Sequence, residues 1–153
     1  MCQRHMDVLD IEIRDLIRNQ SDLKHRFDIL TSIPGLGPIT ATTLITDMDE
    51  LGQVNSKEIA ALAGLAPMNR DSGARRSPRM IRGGRMHVRN MLYMCAVGMT
   101  RRSGFLGDFY RHLVQQGKNP KVALTAVMRK LIILANTLVA EDRYWRPAQT
   151  EMA

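Results

Sequence analysis

Residues 30–48 read LTSIPGLGPITATTLITDM, and the interruption in their middle decides the fold. Leu30 and Ile33 close one apolar pattern, Pro34, Gly35, Gly37 and Pro38 break it, and Ala41 and Ile45 resume at helical spacing. Proline removes a helical N–H and crowds the preceding turn, and glycine weakens a helix interior. One helix must therefore end here and another start near Ile39. The pattern Leu30-x-x-Ile33-x-Gly35-Leu36-Gly37-x-x-x-Ala41-x-x-x-Ile45 is that of a helix-hairpin-helix. Its glycines permit a tight turn with free backbone N–H groups and let a phosphate approach without a Cβ in the way. The next helix start adds its partial positive charge. Gly35 and Gly37 are thus candidate phosphate-binding positions. A plain helix–helix corner with a Pro-Gly turn fits the same residues.

Upstream, Leu9, Ile13, Leu16, Gln20, Leu23, Phe27 and Leu30 alternate steps of four and three with charges between them. This is an a/d stripe of about three heptads without Pro or Gly, and Gln20 is its polar, register-fixing member. The stripe fits an amphipathic helix on its own domain, or a coiled-coil contact to a partner. Its narrowness favours the second. Downstream, NSKEIAALAGLAP reads as a short helix with an Asn55/Glu58 capping box and a stop at Pro67. A helix over 86–101 places Val88, Met91, Leu92, Cys95 and Met99 on one side, and another covers 104–116. The last starts at Asn119-Pro120, a cap followed by proline at the first helical position, and runs to about Ala140. No alternating strand pattern appears, so the fold class is all-α. The organisation read from sequence is a coiled-coil helix over 1–30, a helical domain over 31–146 and a disordered tail over 147–153.

With 22 Lys+Arg against 15 Asp+Glu, the 153-residue chain carries a formal charge of +7. That excess favours polyanionic partners. Aromatics are 5% of residues, so backbone phosphates rather than stacked bases are the expected target. The charged N-terminus excludes a signal peptide, and the longest apolar run, LIILANTLVA, is too short to cross a bilayer. Cys2 and Cys95 are far apart, and Cys95 sits in the apolar MLYMCAVGM, as a buried thiol in a reducing compartment would. The expected location is cytoplasmic, with no membrane partner. His5, His25, His87 and His112 form no metal-ligand spacing, and no metal site is expected. Asp47, Asp49 and Glu50 in TDMDE read as a solvated turn. Met86, Met91, Met94, Met99 and Met128 read as core filler.

The most basic stretch is NRDSGARRSPRMIRGGRMHVRN, residues 69–90. Arg70, Arg75, Arg76, Arg79, Arg82, Arg85 and Arg89 are the candidate phosphate contacts, since guanidinium suits bidentate phosphate geometry. Lys118, Lys121, Arg129 and Lys130 either extend this face or decorate a solvated helix. Ser72 and Ser77 are the available hydroxyls, inert until activated. Composition argues for phosphate binding and leaves catalysis open.

Four stretches carry a resemblance: IPGLGPITATTLI, ALAGLAPMNRDSG, GGRMHVRNMLY and FYRHLVQQGKNPKVALTAVMRKLI. In this order, over residues 30–138, the chain resembles the C-terminal domain of the insertion-sequence transposases related to Piv-type DNA invertases, whose target choice is guided by a bridge RNA. The resemblance implies that the serine of the Ser-Gly pair after Gly-Leu-Ala-Pro is a nucleophile that attacks a DNA phosphodiester and holds the strand as a phosphoserine. Here that position is Ser72, followed by Gly73, which joins the DNA-binding set. Gly84, Val88 and Arg89 match family positions downstream, and Arg85 stands where Asn is frequent.

Family members begin with a RuvC-like domain whose three Asp and one Glu hold Mg²⁺, followed by a coiled coil. This chain opens on the heptads, so it reads as a truncated transposase that binds no cofactor itself, with Mg²⁺ expected only in the missing domain. The implied function is DNA transposition or site-specific recombination, inactive without that domain. The implied partners are DNA, a guide RNA and a second copy through the N-terminal helix. The alternative is a non-catalytic DNA- or RNA-binding remnant acting through mixed oligomers.

Overall fold

The computed structural model describes residues 2–65 and 84–147. These form seven helices and, among the described residues, no strand: α1 (Cys2–Asn19), α2 (Ser21–Thr31), α3 (Pro38–Asp47), α4 (Ser56–Leu62), α5 (Gly84–Thr100), α6 (Phe105–Gln115) and α7 (Pro120–Glu141). The all-α expectation holds.

Helix α7 is the spine. It touches α2, α4, α5 and α6, and its Ala123, Val127, Met128, Leu131, Ile132, Ala135 and Leu138 are all buried. Asn119 opens it: the side-chain oxygen accepts the Lys121 N–H at 2.8 Å, and Pro120 needs no partner at the first turn. By length and composition alone this 22-residue helix is long and apolar enough to span a bilayer. Its apolar face is instead the protein's core. A second layer is α5, whose Val88, Leu92, Cys95 and Met99 are buried as expected, with Met91 half-buried. The methionines divide: Met99 and Met128 fill the core, whereas Met86 and Met94 point outward from α5, 54% and 65% exposed. Their spacing follows the opposite face of the same helix.

The first thirty residues are not one helix. Gln20 takes an extended conformation (φ −112°, ψ 116°) and separates α1 from α2. The residue read as register-fixing is the break itself. The stripe divides accordingly. Leu30 is buried, and Leu23 and Phe27 pack against the core, as does Ile13. Leu9 and Leu16 remain 55% and 61% exposed. Half of the stripe serves its own domain, and α1 keeps an unsatisfied apolar face.

The capping box of α4 is present: Asn55 Oδ1 accepts the Glu58 N–H at 2.8 Å, and Glu58 Oε1 accepts the Asn55 N–H at 3.1 Å. The helix ends at Leu62 rather than at Pro67. Gly64, with φ +77°, lets the Leu65 N–H turn back to the Ala60 carbonyl at 2.8 Å. Two contacts fasten the C-terminal segment onto α2. His25 Nε2 meets Asp142 Oδ1 at 2.6 Å, and the Trp145 N–H donates to Ser32 Oγ at 2.9 Å. Pro147 is the last described residue, and the expected tail from 148 onward lies outside the described residues.

Candidate functional site

The turn between α2 and α3 is built against α5. The Leu36 N–H bonds the Ile33 carbonyl at 3.0 Å, and Gly35 takes φ +91°. A Cβ on Gly35 would lie 2.8 Å from Met99 Cγ, and the Gly35 carbonyl accepts a hydrogen bond from the Cys95 thiol at 3.0 Å. The Thr40 side chain and the Gly37 backbone also lie near enough to the Cys95 sulfur to influence its protonation. Burial pushes the Cys95 thiol above its ordinary pKa, and Thr40 and Gly37 oppose that shift more weakly. It therefore stays protonated and able to donate to Gly35.

Gly35 is exposed and Gly37 half-buried, and Gly35 serves in addition a left-handed turn pressed on Met99. Solvent is met by Pro38 and Ile39 in the first turn of α3, where the Ile39 N–H precedes any intrahelical acceptor, while Thr40 is buried. Gly37 is the N-cap residue there, with open space where a Cβ would lie. Alanine at Gly35 is expected to cost about 2–4 kcal/mol, left-handed backbone strain plus overpacking against Met99, whose Cγ and Cε both lie in the way. Gly37→Ala should cost less than about 1 kcal/mol, the loss of a favoured cap residue. Chemical denaturation of both variants checks the difference. Equal costs would mean that the Gly35 conformation is not what shapes the turn.

Of the arginines singled out in sequence, Arg89 is described, and it lies exposed on α5. It lines a cleft of about 480 Å³ with Asn90, Tyr93, Lys121, Leu124, Thr125 and Met128. The cleft joins α5 to the beginning of α7, so two cations distant in sequence, Arg89 and Lys121, share one wall. No carboxylate among the described residues lines it, and the N-terminus of α7 adds its dipole. Lys121 is exposed at the start of α7 and lines the same cleft as Arg89. Arg85 falls four residues before Arg89 in the same helix. Ser72, Arg70, Gly73, Arg75, Arg76, Arg79 and Arg82 lie outside the described residues. The stretch that holds them rejoins the fold at Gly84, the first residue of α5.

Among the described residues no three His, Cys, Asp or Glu side chains converge as a metal set. Asp47 closes α3 and is within 3.4 Å of the Thr46 hydroxyl. Nothing in this donor set fits a catalytic Mg²⁺.

Residues 27–111, from α2 to the middle of α6, match the transposase family described as IS116/IS110/IS902. The chain belongs to that family. The matched span contains the α2–α3 turn, the whole arginine-rich stretch and Arg89. The chain is also 32% identical over 139 residues to the pilin gene-inverting protein of Moraxella bovis, covering 88% of this chain and 43% of the relative. The protein of the same name from Moraxella lacunata is 31% identical over the same shares. The insertion element IS116 44.8 kDa protein of Streptomyces clavuligerus is 30% identical over 142 residues, 91% of this chain and 34% of the relative. The chain thus spans about two fifths or less of the length of these curated family relatives.

Proposed function

We propose that this chain is the serine-bearing, DNA-gripping part of a DNA recombinase of the Piv-type invertase and insertion-sequence transposase group. The single observation that carries the reading is the convergence of Arg89 and Lys121 on one cleft, with no carboxylate among the described residues that line it. It lies on the helix that receives the arginine-rich stretch, inside the span matching a transposase family. DNA phosphates are the natural occupants of such a surface, and contacts to them fix position without reading sequence. The relatives named for pilin gene inversion and for insertion elements support recombination as the outcome.

In this reading Ser72 supplies the nucleophile. Its Oγ forms a bond to phosphorus as one P–O bond to deoxyribose breaks; the hydroxyl proton leaves to a base and the departing oxygen takes up a proton. One phosphodiester is exchanged for another, so no external energy source is needed and the step can run backwards to rejoin strands. Arg70, Arg75, Arg76, Arg79 and Arg82 neutralise charge on the phosphorane-like transition state or on flanking phosphates. Mg²⁺ chemistry belongs to a RuvC-like acidic domain acting together with this one. A guide RNA and a second copy, joined through the exposed Leu9 and Leu16 face of α1, complete the assembly.

The test is incubation of a labelled DNA strand carrying an element junction with this chain and Mg²⁺, together with an intact family member defective at its own serine. Label retained on this chain in a denaturing gel supports the reading. Salt-sensitive binding with no retained label under any metal condition supports a remnant that only grips nucleic acid. The cleft has its own check. Each phosphate neutralised contributes about 0.9 to the slope of log affinity against log salt on duplex DNA. Arg89→Gln combined with Lys121→Gln is expected to reduce that slope by about two units. An unchanged slope would remove the cleft from the DNA interface.

A further inference from the structure

A second recess lies between α6 and α7, separate from the Arg89–Lys121 cleft. Its volume is about 440 Å³, within the roughly 300–1,000 Å³ range of small-ligand sites. One wall is the stacked pair Phe105 and Trp145, ring centroids 6.0 Å apart and 21° from parallel. One turn further along α6, on the same face as Phe105, is Phe109, with Lys130 Nζ 4.5 Å from its ring centre. Ile133, Leu134 and Leu138 of α7 supply an apolar floor. Arg129 and Lys130 complete the lining with Arg143, whose Nε donates to Glu141 Oε1 at 2.6 Å, and no carboxylate among the described residues lines the recess itself. The backbone of the recess is held firmly, since Trp145 is pinned to Ser32.

This chemistry specifies its ligand. Three of the chain's seven aromatic residues meet Arg129 and Lys130 here, which suits a flat, polarisable ring joined to a negative charge. The recess is far too small for a duplex, whose major groove alone is about 12 Å wide. We infer that the α6–α7 recess takes up one unpaired nucleotide of a DNA or RNA strand, its base against Phe109 and the Phe105–Trp145 pair and its phosphate at Arg129 and Lys130. An aromatic platform with cation support is how single strands are held without sequence preference. An acidic peptide with an apolar side chain satisfies the charge but not the aromatic walls. The inference goes beyond duplex gripping by the arginine-rich stretch and uses none of its residues.

Trp145 is the chain's sole tryptophan; because it also borders a neighbouring recess with Pro34, Gly35 and Met99, quenching is assigned to the α6–α7 recess only where Phe109→Ala removes it. The full chain is titrated at fixed salt with ten-nucleotide oligo-dT, oligo-rU, a blunt DNA duplex and a poly-glutamate peptide containing one leucine. Saturable quenching by a single strand is expected, with dT and rU distinguishing DNA from RNA, and little change with duplex or peptide. Phe109→Ala and, on the surface, Lys130→Gln are each expected to weaken single-strand binding about tenfold while leaving duplex affinity within about twofold. Lys130→Gln keeps the test decisive if Phe109→Ala destabilises the fold. Single-strand binding without quenching, unchanged affinity in Lys130→Gln, or equal quenching by the peptide would each overturn the inference. In those cases salt-sensitive duplex binding would leave the proposed function standing; loss of duplex binding would remove that instead.

Discussion

Ser72→Ala is expected to abolish covalent attachment of DNA to this chain completely while leaving DNA affinity within about twofold. The two parts of the result have different physical origins. Affinity for DNA resides chiefly in charge neutralisation by Lys and Arg, and the substitution removes neither charge nor bulk from the arginine-rich stretch. The adduct requires a specific oxygen whose replacement by hydrogen cannot be compensated by neighbours, because no weaker nucleophile occupies the same point. Ser77→Ala is the matched control: it sits in the same basic stretch and should retain the adduct. The measurement is the labelled-strand gel beside a filter-binding isotherm for each variant. An adduct that persists in Ser72→Ala and disappears in Ser77→Ala would move the nucleophile to Ser77. An adduct that survives both would remove serine chemistry from this stretch altogether.

The second large effect is on stability and centres on Asn136. This side chain is 3% exposed on the core face of α7. Its Oδ1 accepts the Gly52 N–H at 2.7 Å, and its Nδ2 donates to the Val54 carbonyl at 2.9 Å. One amide thus satisfies a donor and an acceptor of the turn that links α3 to α4. Asn136→Ala leaves both backbone groups without partners in a half-buried setting, each costing about 1–3 kcal/mol, so a total near 3–4 kcal/mol is expected. For a chain of this size each kcal/mol lowers the melting temperature by about 2–4 °C, which predicts a fall of roughly 10 °C. Thermal unfolding followed by circular dichroism checks it. Asn136→Asp should be nearly as costly, because the carboxylate keeps the Gly52 acceptor but presents an oxygen to the Val54 carbonyl. A loss below about 1 kcal/mol in both variants would show that water replaces the amide.

Much of this architecture was legible in the sequence because its signals are local. Asn55 with Glu58, and Asn119 with Pro120, fix helix starts through groups two or three residues apart. Val88, Leu92, Cys95 and Met99 advertise a buried face by spacing alone. The failures have the opposite character. Nothing beside Gln20 announces a helix break, since neither glycine nor proline stands there. The inward role of Gly35 depends on Met99 and Cys95, more than fifty residues away, and the value of Asn136 depends on a turn equally distant. Pro67 appeared to end α4 because a proline is a visible signal, whereas Gly64 acts earlier by closing the last turn. At the site, charge was readable and assembly was not. The sequence shows Arg89 and Lys121 as separate cations, and only the packing of α5 on α7 puts them on one wall. Likewise, scattered Phe105, Phe109 and Trp145 become one recess only through the return of the C-terminal segment onto α2.

The way α5 carries the hairpin turn has a metrical consequence. At one end of this helix is Gly84, where the arginine-rich stretch rejoins the fold; eleven residues further on is Cys95, bonded beneath the Gly35 turn. A helix rises about 1.5 Å per residue, so the two features stand about 16 Å apart along its axis. Successive base pairs of a duplex advance about 3.4 Å. Under the proposed function, that spacing corresponds to about five base-pair steps between the entry of the arginine-rich stretch and the hairpin turn, a separation set by the length of α5 rather than by any residue at either end.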